Sequence, residues 1–256
     1  MMANQAGRRP MVLPSALSAF LLAGLASSLE AQERWRVDLE GGLAWAGRAE
    51  FAVPGDTGTR VDLADSRPAP KVAPRVTLTW SPTSRWSFRV LAAPLKFDGQ
   101  LVPARPVSFD GTLFPEGQPL SGSYRFDSYR LSGYYRFRPG ARWSFRLGLT
   151  GKIRSAETAL SGSGLSDSYD NVGFVPLIYG GVRFQAHPRL GFDLEFDALG
   201  APQGRAEDVA LKAEWAVTDG LTASVGYRVV EGGADNDKVY TFALFHYAVV
   251  GLSYRF

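Results

Sequence analysis

His187 and His246 are the only imidazoles in this 256-residue chain, and it has no cysteine. A hydrolytic centre needs a His or carboxylate base beside a nucleophile. His187 falls in a short turn between two patterned segments, which marks it as structural or merely exposed. His246 sits in Phe245-His246-Tyr247, on the same alternating face as Tyr254 and Phe256. A single β-bulge would move it to the other face. Glu231-Gly-Gly-Ala-Asp235-Asn236-Asp237 carries oxygen ligands at alternate positions, which Ca²⁺ could use. It lacks the distal Glu of an EF-hand loop, and Asp and Asn also favour the turn itself. No nucleophile–base pair converges, so no catalytic residue is assigned. No cofactor and no metal are expected.

The larger stock of chemistry is charge at alternate positions. Arg75, Arg89, Arg130, Arg136, Arg146, Lys152, Arg154 and Arg183 share one phase of their segments. Asp38, Glu40, Asp193, Glu195, Asp197 and Glu214 do the same elsewhere. The elements that must position them have period two, the repeat of a strand with two different faces. Trp143-Ser-Phe145-Arg-Leu147-Gly-Leu149-Thr-Gly151-Lys-Ile153 is the clearest case. Leu190 to Ala198 and Trp35 to Gly41 repeat it. No helical period competes with it.

The first thirty residues are different. Arg8 and Arg9 precede an uncharged apolar run, Met11 to Leu25, followed by the small residues Ala26, Ser27, Ser28 and Ala31. These are the three parts of a secretory leader. Residues 1–31 are therefore expected to be a cleaved signal, with the cut after Ala31 or Ser28, and 32–256 a single domain. The pair Arg8-Arg9 lacks the surroundings of a twin-arginine leader. The absence of Cys after the run excludes a lipoprotein and suits an oxidising envelope. Net charge is +3 without clustering, too little to suggest a nucleic-acid partner.

The mature part reads as a membrane barrel for three reasons. Its alternating runs span about nine to eleven residues, the length of a tilted membrane strand, whereas soluble strands average about five or six. Trp35, Trp80, Trp86, Trp143 and Trp215 lie beside the chain start or a short turn, as an interfacial girdle requires. Tight turns at Ser81–Ser84, Arg138–Ala141, His187–Arg189 and Thr218–Gly220 alternate with longer segments at Gly47–Pro70, Phe97–Ser123, Ser155–Asn171, Gly200–Glu207 and Glu231–Lys238. The pattern predicts an all-β, antiparallel up-and-down transmembrane barrel of about ten strands. They span 34–46, 72–81, 85–96, 124–137, 142–154, 172–186, 190–199, 207–217, 221–230 and 239–256. Eight strands follow if 207–230 is miscounted; twelve would need a hairpin inside a long loop. Arg85-Trp-Ser-Phe-Arg89 recurs as Arg142-Trp-Ser-Phe-Arg146, each just after a tight turn, as if each strand re-enters lipid there.

The chain ends Val249-Val-Gly251-Leu-Ser-Tyr254-Arg-Phe256. This resembles the C-terminal signal of bacterial outer-membrane β-barrel proteins, with Gly251, Tyr254 and Phe256 at the matching positions. Val249 departs from it, standing where that family usually has a polar residue. In size the chain looks like the small eight- to ten-stranded barrels, the OmpW and OmpA types or the omptin proteases. It shows neither the paired-acid layout of omptins nor a lipid A deacylase or palmitoyltransferase motif. The resemblance implies a Gram-negative outer-membrane location, insertion by the barrel assembly machinery, and contact with lipid and lipopolysaccharide. It leaves the oligomeric state open.

In a barrel, the two charge sets would face the lumen, a basic wall on strands two to six opposite an acidic wall on strands one, seven and eight. The network expected there comprises Arg130, Arg136, Arg146, Lys152, Arg183, Asp193, Glu195, Asp197 and Glu214. Paired charges fill a small barrel, whereas unpaired ones inside would be costly. The favoured expectation is a non-enzymatic barrel with a charge-paired lumen, structural or a narrow porin-like path for small solutes. The alternatives are an enzyme acting on lipid or peptide at the outer leaflet, and adhesion or ligand binding through the long loops.

Overall fold

The computed structural model describes residues 34–201 and 204–256. The expected leader at 1–31 lies outside them. The elements are β1 (Trp35–Ala52), β2 (Val61–Asp62), β3 (Lys71–Trp80), β4 (Trp86–Ala93), β5 (Lys96–Leu101), β6 (Val107–Phe109) and β7 (Thr112–Phe114). They continue with β8 (Leu120–Phe137), β9 (Trp143–Gly162), β10 (Leu165–His187), β11 (Leu190–Ala201), β12 (Gly204–Ala216), β13 (Leu221–Asp235) and β14 (Tyr240–Arg255). Every pairing is antiparallel between neighbours, and β14 pairs with β1 to close the wall.

β4 and β5 form one stave. Pro94 interrupts them because it has no N–H to offer the ladder. Beside the gap, the Leu95 N–H donates to Asp127 Oδ1 at 3.1 Å and the Phe126 N–H to the Leu95 carbonyl at 2.8 Å. Ten staves therefore make a closed barrel, the expected count. The seam is tight at its lower end: the Trp35 N–H donates to the Phe256 carbonyl and the Phe256 N–H to the Trp35 carbonyl, both at 3.0 Å.

The strands run further on the long-loop side than the sequence pattern indicates. Ser155–Asn171, expected as a loop, is paired throughout: Ser155 faces Val172 and Gly162 faces Leu165. Ser163 (φ 53°) and Gly164 (φ 78°) turn that hairpin with two left-handed residues, the conformation a two-residue hairpin favours. The Ser-, Thr- and Asp-rich arms lack apolar–polar alternation because polar residues stand on both faces, Thr158 buried beside Leu160 on the inward side and Ser161 and Ser166 exposed on the other. In the Phe97–Ser123 segment, β6 and β7 form the hairpin that twelve strands would need. It makes a separate two-stranded sheet and does not enter the barrel.

The outward face reverses the usual sign. Leu39, Val76, Val90, Leu131, Leu147, Leu149, Phe174, Leu194, Leu211, Val225, Val250 and Leu252 all lie exposed. Such a belt would be costly in water and is what a hydrocarbon core requires. No helix among the described residues is long and apolar enough to cross a membrane; the strands do the crossing. At the short-turn end an aromatic band closes the belt: Trp35 stacks on Trp80 at 6.1 Å, Trp86 meets Tyr135 edge-on at 5.3 Å, and Trp143 packs on Phe184 at 4.6 Å. Trp215 is exposed on the same end of β12. This is the architecture of an outer-membrane β-barrel.

Candidate functional site in the barrel interior

Alternation sends every second side chain of each stave inward, and at mid-height those side chains are charged. Arg130 of β8 lies at the centre, its side chain 1% exposed, with Nη1 2.8 Å from Asp197 and Nη2 2.7 Å from Asp208. Asp208 on β12 also receives Arg75 at 3.0 Å and Arg228 at 2.5 Å. Arg89 reaches Asp197 and, at 3.5 Å, Glu195, and its guanidinium lies 4.1 Å from the ring centre of Tyr179. Lys212 lies 3.3 Å from Glu195 and 3.6 Å from Glu40. Thr150 donates to the second oxygen of Asp197 at 2.6 Å. Buried ions need both a partner and filled hydrogen-bonding positions, and here each carboxylate has several donors.

Below this layer, towards the short turns, the pairs are simpler. Arg146 meets Asp193 at 2.7 Å, Arg183 meets Glu214, and Arg36 meets Asp38. Arg136 lies at the rim, 3.1 Å from Ser87 Oγ, with no carboxylate within salt-bridge distance among the described residues. Arg154 reaches Asn171 at 2.7 Å on the long-loop side. Lys152, on the inward face of β9, has its ammonium 4.8 Å from the Phe126 ring centre and pairs with no described carboxylate.

The two-wall picture needs correction. Arg36 on β1, Lys212 on β12 and Arg228 on β13 place cations among the acidic strands, and Asp208 adds the most heavily paired carboxylate. Asp208 and Lys212 share the phase of Glu214, so parity alone could have found them. Arg228 falls on Leu221–Asp235, where the alternation is weak.

A second correction concerns polarity. Above the charged layer the interior is apolar: Phe51, Phe97, Phe109, Phe114, Tyr124, Phe126, Phe245 and Leu63 are buried in one cluster. Phe97 and Phe245 stack at 5.1 Å, and Tyr124 donates or accepts a 2.7 Å bond with Thr241. The segment after β1 and the β6–β7 hairpin supply part of this stopper, so water is excluded and apolar side chains point inward. Val249, the departure from the C-terminal signal, is buried in this cluster. Where Arg75, Arg130, Phe126 and Tyr247 meet, the free volume is about 10 Å³, too small for a solute.

His246 lies on the outer wall. Its Nδ1 is 2.7 Å from the Tyr227 hydroxyl, and its ring stacks on Trp45 at 5.7 Å. His187 ends β10 at the short turn, its Nδ1 accepting from the Arg189 N–H at 3.3 Å. In the candidate Ca²⁺ segment, Glu231 pairs with Arg205, and Asn236 Oδ1 accepts from the N–H groups of Lys238 and Val239, both at 3.1 Å.

No protein-family model matches the chain, and no curated protein matches it. Solved structures do resemble it. The outer membrane protease OmpT from Escherichia coli superposes with a TM-score of 0.54 at 10% identity, covering 87% of this chain and 96% of that one. The transport unit of the autotransporter AIDA-I from Escherichia coli gives 0.45 at 9% identity over 94% and 98%. The translocator domain of the autotransporter NalP from Neisseria meningitidis gives 0.43 at 12% identity over 94% and 95%. At such identities the likeness is one of fold.

Proposed function

We propose that this chain is a non-enzymatic outer-membrane barrel whose lumen is a structural brace and not a passage. The observation that carries the reading is Arg130, locked between Asp197 and Asp208 beneath the apolar stopper. A conducting lumen needs mobile water and exchangeable partners along its axis. Here the mid-height side chains join strands from opposite sides of the wall, and phenylalanines fill the mouth.

The non-enzymatic part rests on where the bases are. Neither histidine lies in the lumen or its mouth, and the buried carboxylates are each engaged by arginine or lysine. A carboxylate held by two or three cations is a poor general base. As partners we propose outer-membrane lipid and lipopolysaccharide around the belt, and the barrel assembly machinery at the strand bearing Gly251, Tyr254 and Phe256. The test is conductance of the refolded protein in a planar bilayer. The expected trace is flat; steady open-channel current from the unmutated protein would replace this reading with a narrow solute channel.

A further inference from the structure

On the long-loop side, a groove of about 780 Å³ runs across β5, β8, β9 and β10 beside residues 66–69. That volume lies within the range of about 300–1,000 Å³ of small-molecule sites. Its lining is built from oxygen. Gln100 opposes Ser121, Ser121 opposes Ser161, and Ser161 opposes Ser166, giving one unbroken polar row over four strands. Ser123 and Ser168 belong to the next row, with Ala159 between them. None of these serine hydroxyls, nor the Gln100 amide, makes a side-chain hydrogen bond among the described residues, in contrast to the engaged side chains of the lumen.

The charged groups at the groove are occupied or balanced. Asp98 meets Lys71 at 3.3 Å and Lys96 at 3.7 Å. Asp167 accepts from Thr112 Oγ1 and from the Ser168 N–H, both at 2.8 Å. Arg67 adds one positive charge against those two carboxylates. Arg67 is the one cation of the described lining, and Lys71 and Lys96 are held on Asp98, so no cluster of free cations is there to hold a phosphate or sulfate. The groove is too polar for an acyl chain, and no group of three metal-ligating side chains occurs among the described residues. Its wall is also fixed in place. A methyl group on Gly99 would collide with Ser66 Oγ, and one on Gly122 with Leu63, so these glycines let the 3₁₀ turn Leu63–Ser66 seat against the sheet.

We infer that this groove binds a neutral, polyhydroxylated ligand, a short run of uncharged sugars. A serine hydroxyl both donates and accepts, as a sugar hydroxyl does, so a row of free hydroxyls matches a ligand of the same character. Neighbouring strands stand about 4.8 Å apart, so the row offers a polar group at each step along an extended saccharide. This goes beyond the closed-lumen reading and does not depend on it, because the groove lies outside the sealed interior.

The test applies detergent-refolded full-length barrel to an array carrying neutral and acidic oligosaccharides. Two variants accompany it. S121A/S161A/S166A removes hydroxyls, and S123W fills the groove. Both alter positions clear of the buried core, and retained fast migration of unboiled protein verifies folding. The expected result is retention on neutral hexose chains, weakened at least tenfold in both variants. No retention on neutral glycans, retention on acidic glycans alone, or retention that both folded variants keep would overturn the inference. Bilayer conductance, measured separately, reports on the lumen and not on the groove.

Discussion

Arg228 grips Glu40 at two points, Nε to Oε1 and Nη2 to Oε2, each at 3.0 Å, although β14 stands between their strands in the wall. The same guanidinium reaches Asp208 and Glu195. One planar fork thus joins β13 to β1, β11 and β12. A lysine could not do this, because its ammonium is a single point of charge.

Replacing Arg228 with Ala should cost about 3–5 kcal/mol, the range for stranding buried charge. Arg228→Lys should fall between Ala and the native residue, since charge remains and the fork is lost. The midpoint at which the fast-migrating, folded band converts to the slow one on heating measures both. Equal midpoints for all three proteins would remove the network from any account of stability.

On the proposed closed-lumen reading two tiers block the interior, so opening it should require breaking both. Asp193, Glu195 and Asp197 changed together to Ala should lower the conversion midpoint, because Arg89, Arg130 and Arg146 lose counter-charges. That variant should still pass no current while the Phe97–Phe245 stack remains. Adding Phe97→Ala and Phe245→Ala should produce a leak, each truncation also costing about 3–5 kcal/mol of packing. A leak from the carboxylate variant alone would show that the apolar tier does not close the mouth.

Leu147 is 55% exposed on β9, facing away from Arg146 and its partner Asp193. Arg at this position should cost about 2–4 kcal/mol if it lies near the bilayer midplane. Leu165→Arg, at the tip of the β9–β10 hairpin beyond the belt, should cost almost nothing. Folding titrations in lipid vesicles give both values, and equal costs would mean the belt is misplaced.

Removing Phe256 deletes the two hydrogen bonds to Trp35 that fasten the lower seam. The shortened chain should assemble poorly, with less heat-modifiable protein in the outer-membrane fraction than the full chain gives. Undiminished yield would mean that the seam closes from its upper end, where β1 and β14 pair as far as Ala52 and Tyr240.

Parity carried most of the fold. Val90, Leu147 and Leu194 face outward, and Ser87, Arg89, Ser144 and Arg146 face inward, as the repeated Trp-Ser-Phe-Arg unit requires. Parity failed where its physical basis ends. Beyond the apolar belt the outward face of β9 and β10 is polar and the inward face is mixed, with Thr158 and Leu160 both buried, so Ser155–Asn171 has no alternation and reads as a loop.

The sequence by itself determined the alternation, the ends of the strands at the tryptophan band, and the facing of side chains along the strands it marked, because a strand has period two whatever surrounds it. It could not determine who meets whom across the lumen. Arg130 lies 67 residues from Asp197 along the chain, and only the closed wall's curvature brings them to 2.8 Å. Nor could it show that Phe51 and Phe97, in segments that read as loops, turn inward and meet Phe245 in one plug at the mouth. An inward position is polar or apolar according to whether water reaches it. The segments folded over the barrel decide that, and their placement is a property of the whole structure.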